Sequence, residues 1–221
     1  MIRRLLIALV IVSAGAYGFA EVSAKRFAEQ AIATKAQQVD PVAHTVEAHV
    51  SSPLLWGVLS KGLIDEVSVT ADHVKLGAYT ADRTTGVLHG VHLDRAKSIQ
   101  ERKPVITSID RADVTFEVTD AEVSKALPNG LSFRFAGGKA ILQGPGFSVA
   151  GTLRVVAHSS VTFEPDANVL PRTVHAPSFR FGQIPFLNCI ETVELRSSVA
   201  RITCSKKNPP ISMMRDFQSA S

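Results

Sequence analysis

Between Ser52 and Leu76 the hydrophobic period switches from that of a helix to that of a strand, and no other stretch restricts the fold as much. Ser52 suits an N-cap, and Pro53 suits the first helical position, where its missing N–H would be unpaired anyway. Leu54, Leu55, Val58 and Leu59 share one helical face with Trp56 at its edge, and Gly62 offers the stop. From Ile64 the period is two, with Val67, Val69 and Ala71 on one side and Ser68, Thr70 and Asp72 on the other. A long strand with one apolar side calls for a sheet with one dry and one wet face.

The same alternation recurs along the chain. Ala43–Ser51 places Val46, Ala48 and Val50 on one side, and Val87–Asp94 does so with Val87, Val91 and Leu93. Ser108–Val118 sets Ala112, Val114, Phe116 and Val118 against Asp113, Thr115 and Glu117. From Leu131 a meander follows. Phe133 and Phe135 flank Arg134, Gly137-Gly138 gives a hairpin turn, and Gly144-Pro145-Gly146 separates Ala140–Gln143 from Phe147–His158. Ser159–Glu164 supports another strand, Phe179 and Phe181 bracket Arg180, and Ile190–Cys204 closes as a hairpin.

Helices are few. Val22–Val39 carries Phe27, Ala31, Ile32 and Ala36 at helical spacing, and Thr119–Glu122 is a capping box ahead of a short helix closed by Pro128-Asn129-Gly130. Arg95–Pro104 reads as a charged surface loop. The fold expected is α+β: a long, strongly twisted antiparallel sheet curled around one or two helices, tubular in outline, behind an N-terminal hydrophobic helix. Ile64–Val69 echoes Ile190–Leu195, and Lys75-Leu76 echoes Arg201-Ile202 at the same offset, which raises an internal repeat beside the alternative of chance.

Arg3-Arg4 ahead of the apolar run Leu5–Ala20 is an export signal that leaves the rest of the chain outside the cytoplasm. As a helix the run spans about 24 Å, between a signal-peptide core and a full membrane span. Small-residue sites at Gly18-Phe19-Ala20 and Val22-Ser23-Ala24 keep cleavage open beside the preferred retained anchor. The expected division is a signal-anchor or signal peptide over 1–21, an amphipathic helix or stalk over 22–41, the α+β domain over 42–205 and a flexible tail over 206–221.

The net charge of +4 comes from 24 basic and 20 acidic residues, two of the bases being Arg3 and Arg4. The small surplus that remains excludes a concentrated nucleic-acid surface and suits mild attraction to anionic lipid. Outside the cytoplasm Cys189 and Cys204 can form a disulfide; otherwise they are two buried thiols. On a hairpin they face one another if the turn centres on Arg196-Ser197, and lie diagonally if it centres on Ser197-Ser198.

Enzyme and metal motifs are missing: no G-x-S-x-G elbow, no H-E-x-x-H and no phosphate-binding glycine loop. His89 and His92, three apart on a strand, are expected on opposite faces, as are His44 and His49. Asp65-Glu66 reads as a solvated turn and His158 as a sheet-edge residue. What remains is apolar inventory. Leu54, Leu55, Leu59, Phe116, Phe133, Phe135, Phe147, Phe179, Phe181 and Phe186 either build an ordinary core or line a cavity for acyl chains.

The ordered set of the helix AKRFAEQAIA, Pro53-Leu54-Leu55 with IDEVSVTADHVKLG, then RADVTFEVTDAEVSKAL and IPFLNCIETVEL resembles the LmeA family of actinobacterial cell-envelope proteins, which bind phospholipids. The resemblance runs from about Val22 to Cys204. It departs from the family at Leu54-Leu55-Trp56 and at the cysteine pair. It implies a tubular lipid-binding fold, a phosphatidylinositol-type or other anionic phospholipid as ligand, and a supporting role in assembling lipomannan-type envelope glycolipids, with an envelope glycosyltransferase as candidate partner. It brings no catalytic residues and no cofactor. The expected chain is thus a non-enzymatic, membrane-anchored module on the periplasmic or cell-wall side. Trp56 would sit at the bilayer interface, and Lys61, Arg134 and Arg180 would meet the head group. The rival expectation is an interaction domain that docks an envelope enzyme through a sheet edge, with no lipid cavity.

Overall fold

The alternating segments build two antiparallel sheets where one was expected. The computed structural model describes residues 18, 20–34, 36–37, 44–51, 53–54, 57–76, 79–101, 105–128, 130–158, 160–166, 176–180 and 189–210. Residues 20–34 are helical (α1). Then come β1 (His44–Val50), a π-helical turn at Gly57–Lys61, β2 (Leu63–Leu76), β3 (Tyr79–Leu93), α2 (Arg95–Glu101), β4 (Ile106–Thr119) and α3 (Asp120–Lys125). A meander follows: β5 (Ser132–Ala136), β6 (Lys139–Gly144), β7 (Phe147–Ala157), β8 (Ser160–Pro165) and β9 (Ser178–Arg180). The last hairpin is β10 (Ile190–Leu195) and β11 (Val199–Lys207).

The first sheet runs β1-β2-β3-β4-β11-β10 and the second β5-β6-β7-β8-β9. The chain therefore leaves the first sheet after β4, builds the second, and returns at β10. The whole is α+β, antiparallel sheet curled into a half-barrel with a few short helices. The main core lies between the two sheets. It joins Tyr79, Phe116, Val118, Ala200 and Ile202 to Phe133, Phe135, Leu142, Val161, Phe163 and Phe179. A smaller cluster of Val50, Val67, Val91 and Ile109 forms at the other end of β2–β4, with Ile32 of α1 and Leu54 packed on it.

Side chains from helices satisfy the backbone of two edge strands, where unpaired N–H groups would otherwise invite another chain. Glu29 of α1 accepts from the Val50 N–H at 3.0 Å, and Glu21 accepts from the Leu54 N–H. On the second sheet, Ser124 Oγ accepts from the Phe133 N–H at 2.8 Å, and Asp120 Oδ2 accepts from the Phe135 N–H at 3.2 Å. Half of the capping box forms. Thr119 Oγ1 accepts from the Glu122 N–H, while the Glu122 carboxylate pairs with Lys125.

Several expectations change. β3 starts at Tyr79, well before Val87, and residues 95–101 are helix where a loop was expected. β11 runs on to Lys207, past the expected start of the tail. Lys75-Leu76 continues the strand that holds Ile64, whereas Arg201-Ile202 lies on the strand after Ile190–Leu195, so the sequence echo is no structural repeat. The hydrophobic helix expected at the N-terminus falls on residues outside those described, and among the described residues no helix is long and apolar enough to cross a membrane.

Cys189 and Cys204 are joined, with Cα atoms 4.9 Å apart. Glu194↔Arg201 and Leu195↔Ala200 centre the turn on Ser197-Ser198, the register that was expected to leave the cysteines diagonal. A register shift between Ile190 and Thr192 moves β10 by one residue and brings them together.

Candidate functional site

Register assigns the two faces of the first sheet. On the outer face, Glu47, Thr70, Thr85, Thr115, Thr203 and Thr192 form one row across all six strands. The adjacent row alternates in charge: Asp72, Arg83, Glu117, Arg201, Glu194. Arg83 Nε donates to Asp72 at 3.1 Å and Arg201 Nη2 lies 3.0 Å from Glu117. The hydrogen bond to Asp72, with that carboxylate's charge, holds the Arg83 guanidinium further above its usual range. Cross-strand pairs of opposite sign and matched threonines stabilise a wet sheet face.

The inner face is apolar and, at its centre, small. Ala48, Val69, Gly86 and Val114 make one row and Val50, Val67, Leu88 and Ala112 the next. Of these only Val50 and Val67 are fully buried; the others are half-buried. A Cβ built on Gly86 would have Val69 O, at 4.0 Å, as its nearest described neighbour, so the space above the centre of this floor is open among the described residues. Thr84, on the same face opposite Ala71 and Phe116, has a buried hydroxyl with no hydrogen-bond partner among the described residues.

Two local reversals keep that face apolar to both ends. Val91 and Ile109 are buried with Val67, although His89 and Arg111, two residues from each, are on the wet side. Between them Gly90 takes φ 62°, and Asp65-Glu66, His89-Gly90 and Asp110-Arg111 each put two consecutive residues outward. A Cβ at Gly90 would lie 2.0 Å from Asp110 Oδ2, so only glycine fits. At the other end Ala81 is buried while Arg83 is exposed, and His73 opposite takes φ 58°.

The crease at Gly90 corrects the expectation for the histidines. His89 and His92 emerge on the same side, each against carboxylates. His89 lies 3.3 Å from Glu66 and 3.1 Å from Asp113, and His92 lies 3.1 Å from Asp110. Arg111 and the Ser205 hydroxyl also engage Asp113, at 2.8 Å and 2.6 Å. Among the described residues no group of three or more His, Cys, Asp or Glu could hold a metal ion. Asp65 and Glu66 likewise sit together on the wet side, on strand β2 and not in a turn.

Four of the phenylalanines named as core or lining are packed as core. Phe116, Phe133, Phe135 and Phe179 are buried in the main core, with the Phe133 ring centroid 5.3–6.2 Å from those of Phe135, Phe163 and Phe179. The space beside Phe179 and Ile202 is about 20 Å³, room for one water at most. Burial in this core pushes the Tyr79 hydroxyl pKa up. Phe147 is half-buried against the same core, and Leu54 packs on the smaller cluster. Leu55, Trp56, Phe181 and Phe186 lie outside the described residues, as do the side chains of Leu59 and Arg180. Lys61 and Arg134 are exposed, and Arg134 stands on β5, the far sheet from the open floor.

Sequence reading missed Lys206. β11 alternates through Ala200, Ile202 and Cys204, all buried, so Lys206 follows them onto the inner face, opposite Ala112. It is half-buried and makes no ion pair among the described residues. The signal was present as an extension of the Ile190–Cys204 alternation, cut short by ending the hairpin at Cys204 and starting the tail at 206. A separate, open cleft of about 570 Å³ lies between α1 and the β1–β2 edge. Arg26, Glu29, Gln30, Glu47 and His49 line it, and the Glu29–His49 contact of 3.2 Å spans it.

No family model, curated protein or solved structure matches the chain. The site must therefore be judged on its own geometry. It is an apolar floor of small residues, uncovered at Gly86 by any described residue, with Lys206 at its margin and no ion pair to it among the described residues.

Proposed function

We propose that the chain is a non-enzymatic phospholipid-binding module, held at the outer face of the cytoplasmic membrane by its N-terminal apolar run. One observation carries this reading: the inner face is apolar from one hydrophobic cluster to the other, yet at Gly86 it is left uncovered by any described residue. Apolar floor left half-buried is costly in water, and an acyl chain laid on it would contribute about 0.8 kcal/mol per buried methylene. Lys206 replaces Arg134 as the residue suited to the phosphate, because it stands on the same face as the floor. Long amphipathic lysines cover apolar surface with their stems and place the ammonium at its rim. The Thr84 hydroxyl, buried and unpartnered among the described residues, supplies a donor for an ester carbonyl.

The resemblance to the LmeA family supports the same ligand class and a supporting role in envelope glycolipid assembly, with a glycosyltransferase as partner. The test is the phospholipid content of the purified full chain, measured by mass spectrometry, beside that of a Gly86→Leu variant purified in the same detergent. Bound phospholipid in the parent and its loss in the variant is the expected result. Equal phospholipid in both, or none in either, sinks the reading. A folded chain with no lipid would favour the docking domain.

A further inference from the structure

Three chain features meet at one end of the first sheet, and together they point to a partner surface. The first is the start of α1, placed there because Glu21 accepts from the Leu54 N–H. The apolar run Leu5–Ala20 of the sequence therefore joins the domain at this end. The second is the β1–β2 connection, which contains the Gly57–Lys61 turn and ends in exposed Lys61. The third is the β3–β4 connection with α2. Arg95 Nη1 donates to Ser60 O at 3.0 Å and the Leu93 N–H donates to Gly62 O at 2.7 Å, so the two connections are tied together.

α2 buries none of its side chains. Ile99 at its centre is 73% exposed, more than any other described large apolar residue except Phe27 of α1. Around it the sequence Asp94–Lys103, DRAKSIQERK, holds four bases and two acids, and exposed Lys97 lies 3.8 Å from Asp94. A bare helix with an outward isoleucine and a local basic surplus is poorly matched to water and well matched to an anionic bilayer surface.

We infer that this end of the sheet rests on the membrane, with Ile99 entering the acyl boundary and Lys61, Arg95 and Lys97 meeting anionic head groups. The inference builds on the anchored reading above and adds to it an orientation: the β1–β2 and β3–β4 connections point down, and the β10–β11 turn points away. Lys206 lies toward the lower end of β11, opposite Ala112, and the buried cluster of Val50, Val67, Val91 and Ile109 lies at the same end of the sheet.

The experiment places single tryptophans in the full chain, in a Trp56→Phe background, reconstituted in phosphatidylcholine–phosphatidylglycerol vesicles with brominated acyl chains. Ile99→Trp is expected to be quenched severalfold more than Ser197→Trp at the opposite turn, with the difference reduced when Lys61→Glu and Lys97→Glu are added. Since α2 buries nothing, neither change at its surface threatens the fold. In the unsubstituted chain, amide exchange over residues 95–101 should slow in the same vesicles relative to detergent. An unquenched Ile99→Trp, equal quenching at both ends, or unchanged exchange overturns the orientation. None of these readouts depends on whether phospholipid occupies the floor above Gly86, so the two proposals fail separately.

Discussion

Replacing Gly86 by leucine tests whether the inner floor is a ligand site or only a thin part of the core. Gly86 sits mid-strand in β3, opposite Val69 and Val114, and its φ is outside the left-handed range, so an L residue fits the backbone. The nearest described atom to its Cβ position is 4.0 Å away. Removing a glycine from a strand interior favours the fold by roughly 0.5–1 kcal/mol. The same side chain occupies the space an acyl chain would use. Displacing about four methylene equivalents at ~0.8 kcal/mol each costs the ligand about 3 kcal/mol. That corresponds to roughly a hundredfold weaker binding. Stability and affinity should therefore move in opposite directions. Urea unfolding reads the first, and titration with a fluorescent phospholipid reads the second. If Gly86→Leu lowers the urea midpoint, the space is already filled; if it binds lipid as tightly as the parent, the ligand lies elsewhere.

Four further outcomes follow from the same geometry. Changing both Cys189 and Cys204 to serine should cost about 3 kcal/mol in urea unfolding, the loop-entropy value for a 15-residue loop; an unchanged midpoint would show that the bridge adds nothing. Gly90→Ala forces an L residue into the left-handed region, for about 1–2 kcal/mol, and drives the Asp110 carboxylate away from its present place; a stabilised variant would refute the crease. Glu29→Ala leaves the Val50 N–H of the edge strand without its partner, a loss of about 1–3 kcal/mol, visible as faster amide exchange at Val50. Burial raises the Tyr79 pKa above 10.0. The folded state therefore keeps a proton that the unfolded state releases, so stability is full below pH 10 and declines as the pH rises through that range. Tyr79→Phe should flatten the alkaline limb of an unfolding profile.

The strands were legible because alternation is a local signal. Ile64–Leu76 and Ser108–Val118 needed only their own residues to be read, and both are strands. What failed depended on residues far apart in sequence. Whether Phe116 and Phe133 build a core or line a cavity could not be read from periodicity, because it depends on their joining one buried cluster from β4 and β5. The division into two sheets is equally non-local, since it depends on which strand the chain rejoins at β10. Histidine facing was misjudged for a different reason. Strict period-two counting from His89 to His92 assumes an unbroken pleat, and Gly90 breaks it. A glycine inside an alternating run is a recognised sign of a bulge or close approach, so that signal was available. Lys206 was lost only because the strand was ended at Cys204.

The described phenylalanines serve as core, for a reason the fold makes plain. A six-stranded sheet needs a thick apolar layer to be held in place, and the phenylalanines supply it where the second sheet covers the first. Once packed to interior density, such a layer leaves no room for a ligand. Among the described residues the floor is uncovered at Gly86, where its residues are small: Ala48, Val69 and Ala112 are its neighbours on the same face. The two reversals at Gly90 and His73 then matter for binding as well as for shape. Without them, Val91, Ile109 and Ala81 would face water, and the apolar surface would end in polar rows a few residues either side of Gly86. With them, the open centre is continuous with a hydrophobic cluster at each end. That continuity is what the proposed acyl-chain ligand would use.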